Sequence, residues 1–253
     1  MYYLYTDRRK GGEKIIELTL LTWEEVERYL IDKKSIIIPL GSIEQHSLAL
    51  PLGTDTFIAR SLAKEVGDRT STLVMPVLSP GLSLVPHMAF PGTVSLRPYT
   101  FQKVIEEVIS SLYQHGFRQM LLINAHGLNM SSIMGALQEL TFALGDLRVI
   151  ARSWWELPSV RSIRKVYFSS SGHATAEEIS MMLYLKESLV KKEKFSVHKA
   201  GAGVMIGLPK IKEFTPTGLI NGDQSEADRD LGEKLFNKCV EGYIELLQEL
   251  ESK

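Results

Sequence analysis

The sequence has almost no cysteine, no long apolar run and no excess of either charge. Cys239 is the single cysteine in 253 residues, which excludes an intrachain disulfide and zinc sites built from two or four cysteines. Apolar runs such as residues 36–38 and 120–123 are far shorter than the roughly 20 residues of a membrane-spanning helix. Lysine and arginine number 29 against 30 acidic residues, so no global field favours a nucleic acid or an anionic membrane.

The first 14 residues, MYYLYTDRRKGGEK, are polar and lack the apolar segment of a secretory signal. We therefore expect a cytoplasmic protein whose partner is a small-molecule substrate rather than a nucleic acid or a membrane.

What the sequence does contain is an alternation of short apolar runs and amphipathic helical stretches. Thr22 and Glu25 form a capping-box pattern at the start of the first helix. The predicted helices cover residues 22–33, 56–68, 98–115, 131–144, 174–191 and 230–250, and the predicted strands cover 35–40, 71–78, 118–124 and 147–151. This order predicts an α/β fold with a mostly parallel central sheet between two helical layers, in one domain spanning residues 1–253. Residues 79–97 form a loop long enough to suggest a functional role.

Metal-type donors follow three of the predicted elements. Glu44, His46 and Asp55 follow the first strand, and His126 follows the strand at 118–124. His173 and two glutamates come after the last predicted strand and a long connection. Because ligands bind beyond the carboxyl ends of parallel strands, we expect these side chains to converge at one edge of the sheet.

The types of donor favour a divalent metal site. Glu44 and His46 are two residues apart and point to one face of an extended segment, and Asp55 opens a helix and can bridge two cations. Oxygen and imidazole donors without sulfur suit Zn, Mn or Fe(II). Each motif alone also has a structural explanation, since His126 could bond a turn and His173 could sit at a helix start.

Four motifs together resemble the creatininase (creatinine amidohydrolase) family. Residues 41–55 read GSIEQHSLALPLGTD and resemble the family motif G-S-x-E-Q-H-G-x-H-L-P-L-x-T-D. Residues 87–93 resemble H-x-x-F-P-G-T, residues 124–129 resemble N-G-H-G-G-N, and His173 with Glu178 resembles H-A-G-x-x-E-T-S. A turn at 218–223 extends the similarity, which runs in order over most of the chain.

The resemblance implies a three-layer α/β/α domain, a homohexamer and two divalent metal ions per chain. It assigns Glu44, Asp55 and His126 to one metal, and His46 with a bridging Asp55 to the other. Creatininases proper have a glutamate two residues after the histidine of the N-x-H motif, where this chain has Leu128. Glu178 is therefore our candidate for the missing carboxylate ligand, with Glu177 as the alternative.

The implied reaction is hydrolysis of a non-peptide C–N bond by metal-activated water. His173 is the expected general acid and base, and Glu178 shares the catalytic site. The predicted branch is the one that deformylates a formamidopyrimidine nucleotide in flavin and deazaflavin biosynthesis, because its histidine motif also ends Gly-x-Asn. Creatinine or another cyclic amide is the alternative substrate, a third branch acts on a modified peptide, and a catalytically silent family member is the alternative of another class.

Two further features bear on the substrate. The basic residues at 161–165 and the serines at 169–171 precede His173 and could hold a substrate phosphate, or could form a solvated basic loop. Trp154 and Trp155 could line an aromatic substrate, or could pack in the core or at a subunit interface.

Overall fold

The computed structural model describes residues 15–199 and 207–252. The polar segment on which the cytoplasmic expectation rests, residues 1–14, lies outside the described residues. The helices are α1 (Trp23–Asp32), α2 (Thr54–Thr70), α3 (Pro98–Gln114), α4 (Asn129–Ala143), α5 (Pro158–Tyr167), α6 (Ala176–Lys186), α7 (Ile211–Phe214) and α8 (Arg229–Ser252). The strands are β1 (Ser35–Leu40), β2 (Leu73–Val74), β3 (Gln119–Asn124), β4 (Arg148–Ser153), β5 (Val197–His198) and β6 (Gly222–Asp223).

Four of these strands form one parallel sheet in the order β2-β1-β3-β4. Strands β5 and β6 form a separate antiparallel pair. The parallel arrangement confirms the predicted α/β class and follows from the helix that connects each strand to the next.

Alternating side chains of the sheet enter two different apolar clusters, one on each face. Ile37 and Leu121 pack with α2, α5, α6 and α8, whereas Ile36 and Leu122 pack with α1, α3 and α4. Successive strand residues point to opposite faces, so both faces of β1 and β3 are covered by helices. The result is the expected α/β/α layering. In the described part of the chain, no helix combines the length and apolarity needed to cross a membrane.

The capping box at the start of α1 is confirmed, since the Thr22 side chain accepts from the Glu25 backbone and the Glu25 side chain accepts from the Thr22 backbone. The strand predicted at 71–78 is much shorter, because only Leu73–Val74 pairs with β1 before Pro76, which lacks a backbone donor. The helix predicted at 174–191 is regular only over Ala176–Lys186.

The basic segment at 161–165 lies in a helix rather than in a loop. Helix α5 begins with Pro158 in its first turn and buries Val160 and Ile163 against the core. Two apolar residues three apart were too few to indicate this helix, but they suffice once the core offers a surface to pack on.

Candidate metal centre

The segment after β1 folds back on itself before α2 begins. The Glu44 backbone N–H donates to the Leu52 carbonyl at 3.0 Å, and His46 forms an isolated bridge with Leu50. This return places Asp55, in the first turn of α2, directly against the β1 exit. A carboxylate is favourable there, near the positive end of the helix.

Asp55 directs its two carboxylate oxygens to two different histidines. Oδ1 lies 3.0 Å from Nε2 of His46, and Oδ2 lies 3.1 Å from Nδ1 of His126. The Ser42 hydroxyl donates to Oδ2 at 2.7 Å and fixes the carboxylate. Asp55 therefore has the orientation that the bridging role requires.

The donors fall into groups around these two oxygens. Glu44, Asp55 and His126 form one group, in which Glu44 Oε1 is 3.1 Å from His126 Nδ1. His46, Asp55 and Glu178 form another, in which Glu178 Oε1 is 3.8 Å from His46 Nε2. A third combination places His173 with Glu44 and His46, at 3.4 Å between His173 Nδ1 and Glu44 Oε1.

Each of the three histidines is oriented by a backbone carbonyl. His46 Nδ1 is 3.2 Å from the Glu44 carbonyl oxygen, and His126 Nε2 is 2.8 Å from that of Leu82. His173 Nε2 is 2.7 Å from the Gln45 carbonyl. A carbonyl can only accept, so these ring nitrogens carry a proton, and the opposite nitrogen of each ring faces the carboxylates.

The group of donors fits divalent metal ions. With the facing imidazole nitrogens unprotonated, both oxygens of Glu44 and Oε2 of Glu178 are buried and accept no hydrogen bond. A buried carboxylate without such partners is unfavourable unless a cation compensates it. In a tetrahedral site with bonds of about 2.1 Å the ligand atoms lie about 3.4 Å apart, close to the separations found here.

Without a metal, the neighbouring carboxylates favour the protonated forms of His126 and His46. Burial alone would lower the pKa of His126, but the carboxylates of Glu44 and Asp55 raise it to about 10. Burial likewise opposes protonation of His46, and Asp55 with Glu178 raises its pKa well above the usual value. Burial would raise the pKa of Asp55, but His46 and His126 hold it well below its usual range.

His173 differs from the other two histidines because it remains neutral. Burial, together with the charge on His46, lowers the pKa of His173 to about 4. With Nε2–H fixed on the Gln45 carbonyl, Nδ1 is the nitrogen available to accept a proton.

A pocket of about 480 Å³ opens over the donors. Glu44, His126, His173 and Glu178 line it, while His46 and Asp55 are fully buried. The wall also contains Trp154, Trp155 and Leu128. The two tryptophans are therefore beside the site, where Trp154 is also part of the core.

His87 is a site residue that the sequence patterns did not assign to a role. Its Nε2 lies 3.6 Å from Glu44 Oε2, and its ring centroid lies 4.4 Å from that of His173. Burial, together with the charges on the neighbouring histidines, holds its pKa well below the usual range. The available signal was the H-x-x-F-P-G-T resemblance in the long loop, which the structure shows folded over the site.

The two adjacent glutamates of α6 have different surroundings. Glu178 lies with His46 and Asp55, whereas Glu177 Oε1 accepts a hydrogen bond of 2.8 Å from Arg164. Burial raises the pKa of Glu177, against the opposing effect of Arg164. Of the two candidates, Glu178 is therefore placed to complete the second donor group.

Two asparagines brace the loops of the site. Asn124 Nδ2 donates to the His126 carbonyl at 2.8 Å. Asn129 accepts from the Leu82 backbone and donates to the Gly41 carbonyl, so it ties the long loop to the β1 exit. Asn129 thus helps to place the Leu82 carbonyl that orients His126.

Comparison with known proteins gives one consistent family. The creatinine amidohydrolase (creatininase) family model matches residues 19–247. Creatinine amidohydrolase of Pseudomonas putida is 29% identical over 90% of this chain and 95% of its own length. The mycofactocin precursor peptide peptidase of Mycobacterium tuberculosis is 29% identical over 83% of both chains.

A deformylase relative is more distant. The 2-amino-5-formylamino-6-ribosylaminopyrimidin-4(3H)-one 5'-monophosphate deformylase of Methanococcus maripaludis is 25% identical over 85% of this chain and 90% of its own length. Overall identity therefore does not favour the deformylase branch over creatinine amidohydrolase.

Solved structures agree with the sequence match. A creatinine amidohydrolase crystal structure has a TM-score of 0.84 and 25% identity, covering 94% of this chain and 99% of that one. A structure described as "Creatininase Mn" has a TM-score of 0.82 and 28% identity over 93% and 98% of the two chains. A mutant creatininase of "Zn-Zn type" is similarly close, with a TM-score of 0.82. From its sequence motifs, its fold and the convergence of the motif residues at one site, the chain belongs to the creatininase family.

Proposed function

We propose that this protein is a metal-dependent amidohydrolase that cleaves a non-peptide C–N bond of a small molecule. The observation that carries the proposal is the orientation of Asp55, whose two oxygens each face a histidine and a further carboxylate. Glu44, Asp55 and His126 would hold one ion, and His46, Asp55 and Glu178 the other. Zn, Mn and Fe(II) all suit these donors, and two divalent ions would supply an activated water and a polarised carbonyl.

His173 is positioned to move the proton in this reaction. Its Nδ1 faces the pocket as an acceptor, and in the metal-free protein a pKa of about 4 keeps it neutral near pH 7. It can take a proton from water at Nδ1 and deliver that proton to the leaving nitrogen. Glu178 contributes its charge beside the same reacting groups.

The pocket supports a small substrate. A volume of about 480 Å³ is in the range of small-molecule sites. Where the resemblance to creatininases proper predicts a glutamate, Leu128 lines the wall and is 39% exposed. Because the glutamate expected of creatininases proper is absent, we propose the formamide of a formamidopyrimidine nucleotide as the first candidate substrate and creatinine as the second.

The test is formate release from the 5'-monophosphate formamidopyrimidine, with protein loaded anaerobically with Zn(II), Mn(II) or Fe(II). We expect turnover that a chelator abolishes and that metal restores. Creatinine is assayed in parallel. Formate release by none of the metal-loaded forms would reject the deformylase assignment, and hydrolysis of creatinine instead would establish the second candidate.

A pair of variants connects the activity to the site. Glu178→Gln should abolish turnover and lower the metal content. Glu187→Gln, at an exposed residue directly after α6 that pairs with Lys192, should change neither. Full activity of Glu178→Gln would remove Glu178 from the site.

A further inference from the structure

A second cavity adjoins the catalytic pocket. Its volume is about 240 Å³, and we call it the basic annex. It shares Arg164, Ser171 and Glu177 with the larger pocket, so the two are neighbours along one wall. The basic annex is lined by Arg161, Arg164, Lys165, Phe168, Ser169, Ser170, Ser171 and Glu177.

Three cations and one carboxylate line the basic annex, and a second carboxylate, that of Glu226, accepts from the Ser169 backbone at 3.1 Å. Arg161, Arg164 and Lys165 are spaced three and four apart on α5 and therefore lie on one face of the helix. Glu177 and the Trp155 carbonyl engage Arg164, at 2.8 and 3.0 Å. Arg161 and Lys165 have no ion pair within residues 15–199 and 207–252.

Arg161 and Lys165 are exposed to solvent, so the excess of positive charge costs the helix little and leaves both cations open to an anion. Like charges at i and i+4 on a helix repel each other. The helix dipole accounts for Arg164 and Lys165, which are in the last turn, but not for Arg161, which lies nearer the amino end. An anion in the annex would compensate both free cations, and the serines at 169–171 offer hydroxyl groups around it.

We propose that the basic annex binds the phosphate of a phosphomonoester substrate whose amide group occupies the catalytic pocket. Guanidinium and ammonium groups are the usual partners of a phosphate, and the cavity admits a group of five heavy atoms. The proposal rests on the proposed function for the amide part of the substrate. Because Arg164 is already engaged by Glu177, recognition falls to Arg161 and Lys165.

The first test measures binding, without turnover. Ribose 5-phosphate and ribose are titrated by calorimetry into the metal-loaded protein, its Arg161→Gln/Lys165→Gln variant and an Arg60→Gln/Lys64→Gln control. The control pair is also spaced i and i+4, on α2, and lines a cavity that shares no residue with the catalytic pocket. Metal content and melting temperature verify that each protein is intact.

We expect ribose 5-phosphate to bind the wild type and the control equally, and the annex variant at least tenfold more weakly. Ribose should not bind measurably. Equal affinity of the annex variant, or no binding by the wild type, would overturn the proposal. Inorganic phosphate binding as tightly as ribose 5-phosphate would also overturn it, because the annex would then be a site for the free ion.

The second test uses the reaction. For a phosphorylated formamide, Arg161→Gln/Lys165→Gln should raise KM at least tenfold with little change in kcat, while KM for the dephosphorylated compound stays the same. An equal rise in KM for both compounds would reject a phosphate site. If no formate is released but the binding result holds, the deformylase assignment fails and the basic annex stands.

Discussion

Asp55 is the residue on which the two donor groups depend. Its carboxylate is buried, held by the Ser42 hydroxyl and positioned between His46 and His126. One donor group contains His126 and the other contains Glu178, and among the described residues Asp55 is the carboxylate that belongs to both. Replacing one of its oxygens with an amide nitrogen should therefore affect both ions together.

We predict that Asp55→Asn lowers the metal content below the expected two ions per chain and reduces activity by more than about 100-fold. Substitution of residues that only hydrogen-bond to metal ligands costs about 10- to 100-fold, and the loss of a bridging ligand should cost more. Elemental analysis and a turnover assay measure the two effects. Asp68→Asn is the matched control, because Asp68 is on the same helix and pairs with Lys64 at the surface, away from the donor groups. Asp55→Asn with two bound ions would contradict the bridging role.

The protonation of His126 gives metal binding a defined pH dependence. Its pKa is about 10 in the metal-free protein against an ordinary 6.5, so a metal at Nδ1 must displace a proton. Affinity should therefore rise with pH, about tenfold per unit for each proton displaced. The proton also stabilises the metal-free fold, fully below pH 6.5 and progressively less as the pH rises through 10.

Chelator competition with Mn(II) between pH 6.5 and 8.5 measures this dependence. We expect about a 100-fold rise in affinity over that interval for each displaced proton. His126→Gln should bind metal more weakly and with a slope lower by about one proton. His115→Gln, at an exposed histidine after α3, should behave as the wild type. A pH-independent affinity would show that no proton is displaced.

At the scale of elements, the sequence predicted the parts that depend on contiguous apolar residues. Strands β1 and β3 agree with the predicted ranges to within one residue, because SIIIPL is buried along its whole length and QMLLIN is buried after its first residue. Glu44 and His46 were recognisable because they follow β1 closely, and Asp55 because it ends the same sequence motif at the start of α2. Their meeting with Glu178 depends on the packing of α6 against α2, which no local pattern encodes.

The features that were missed depend on tertiary contacts. Helix α5 is stabilised by the surface it packs on, and the long loop is positioned through Asn129, a residue distant in sequence. His87 therefore reaches the site by a route that hydrophobic periodicity cannot show. The choice between Glu177 and Glu178 likewise depends on Arg164, which sits on a helix that was not predicted.

The packing of α8 on α6 supports the second donor group. A Cβ atom added at Gly232 of α8 would lie 1.8 Å from the Ser180 carbonyl oxygen of α6, two residues beyond Glu178. We predict that Gly232→Ala pushes the helices apart, lowers the free energy of unfolding by about 1–3 kcal/mol and weakens metal binding at Glu178.

Urea denaturation and metal analysis test this prediction. Gly145→Ala is the matched control, since a Cβ atom there meets nothing within 4 Å. The two variants should differ clearly in both measurements. Equal stability of Gly232→Ala and wild type would mean that α6 and α8 shift without cost, and that Glu178 is not held by this contact.

At the scale of the whole molecule, we predict that the chain forms the homohexamer that its resemblance to creatininases implies. Large apolar side chains are exposed on the helices of one layer, with Phe142 of α4 92% exposed and Trp23 of α1 78% exposed. Single exposed apolar side chains are common in monomers, so these two serve only as places at which an interface between chains can be tested. Light scattering should give a mass near six times 28.4 kDa.

The variant Phe142→Ser should shift the mass toward smaller species, whereas Val197→Ser, at an exposed apolar residue of β5, should not. A wild-type mass of one chain would reject the hexamer, and a hexamer unaffected by Phe142→Ser would place its contacts elsewhere.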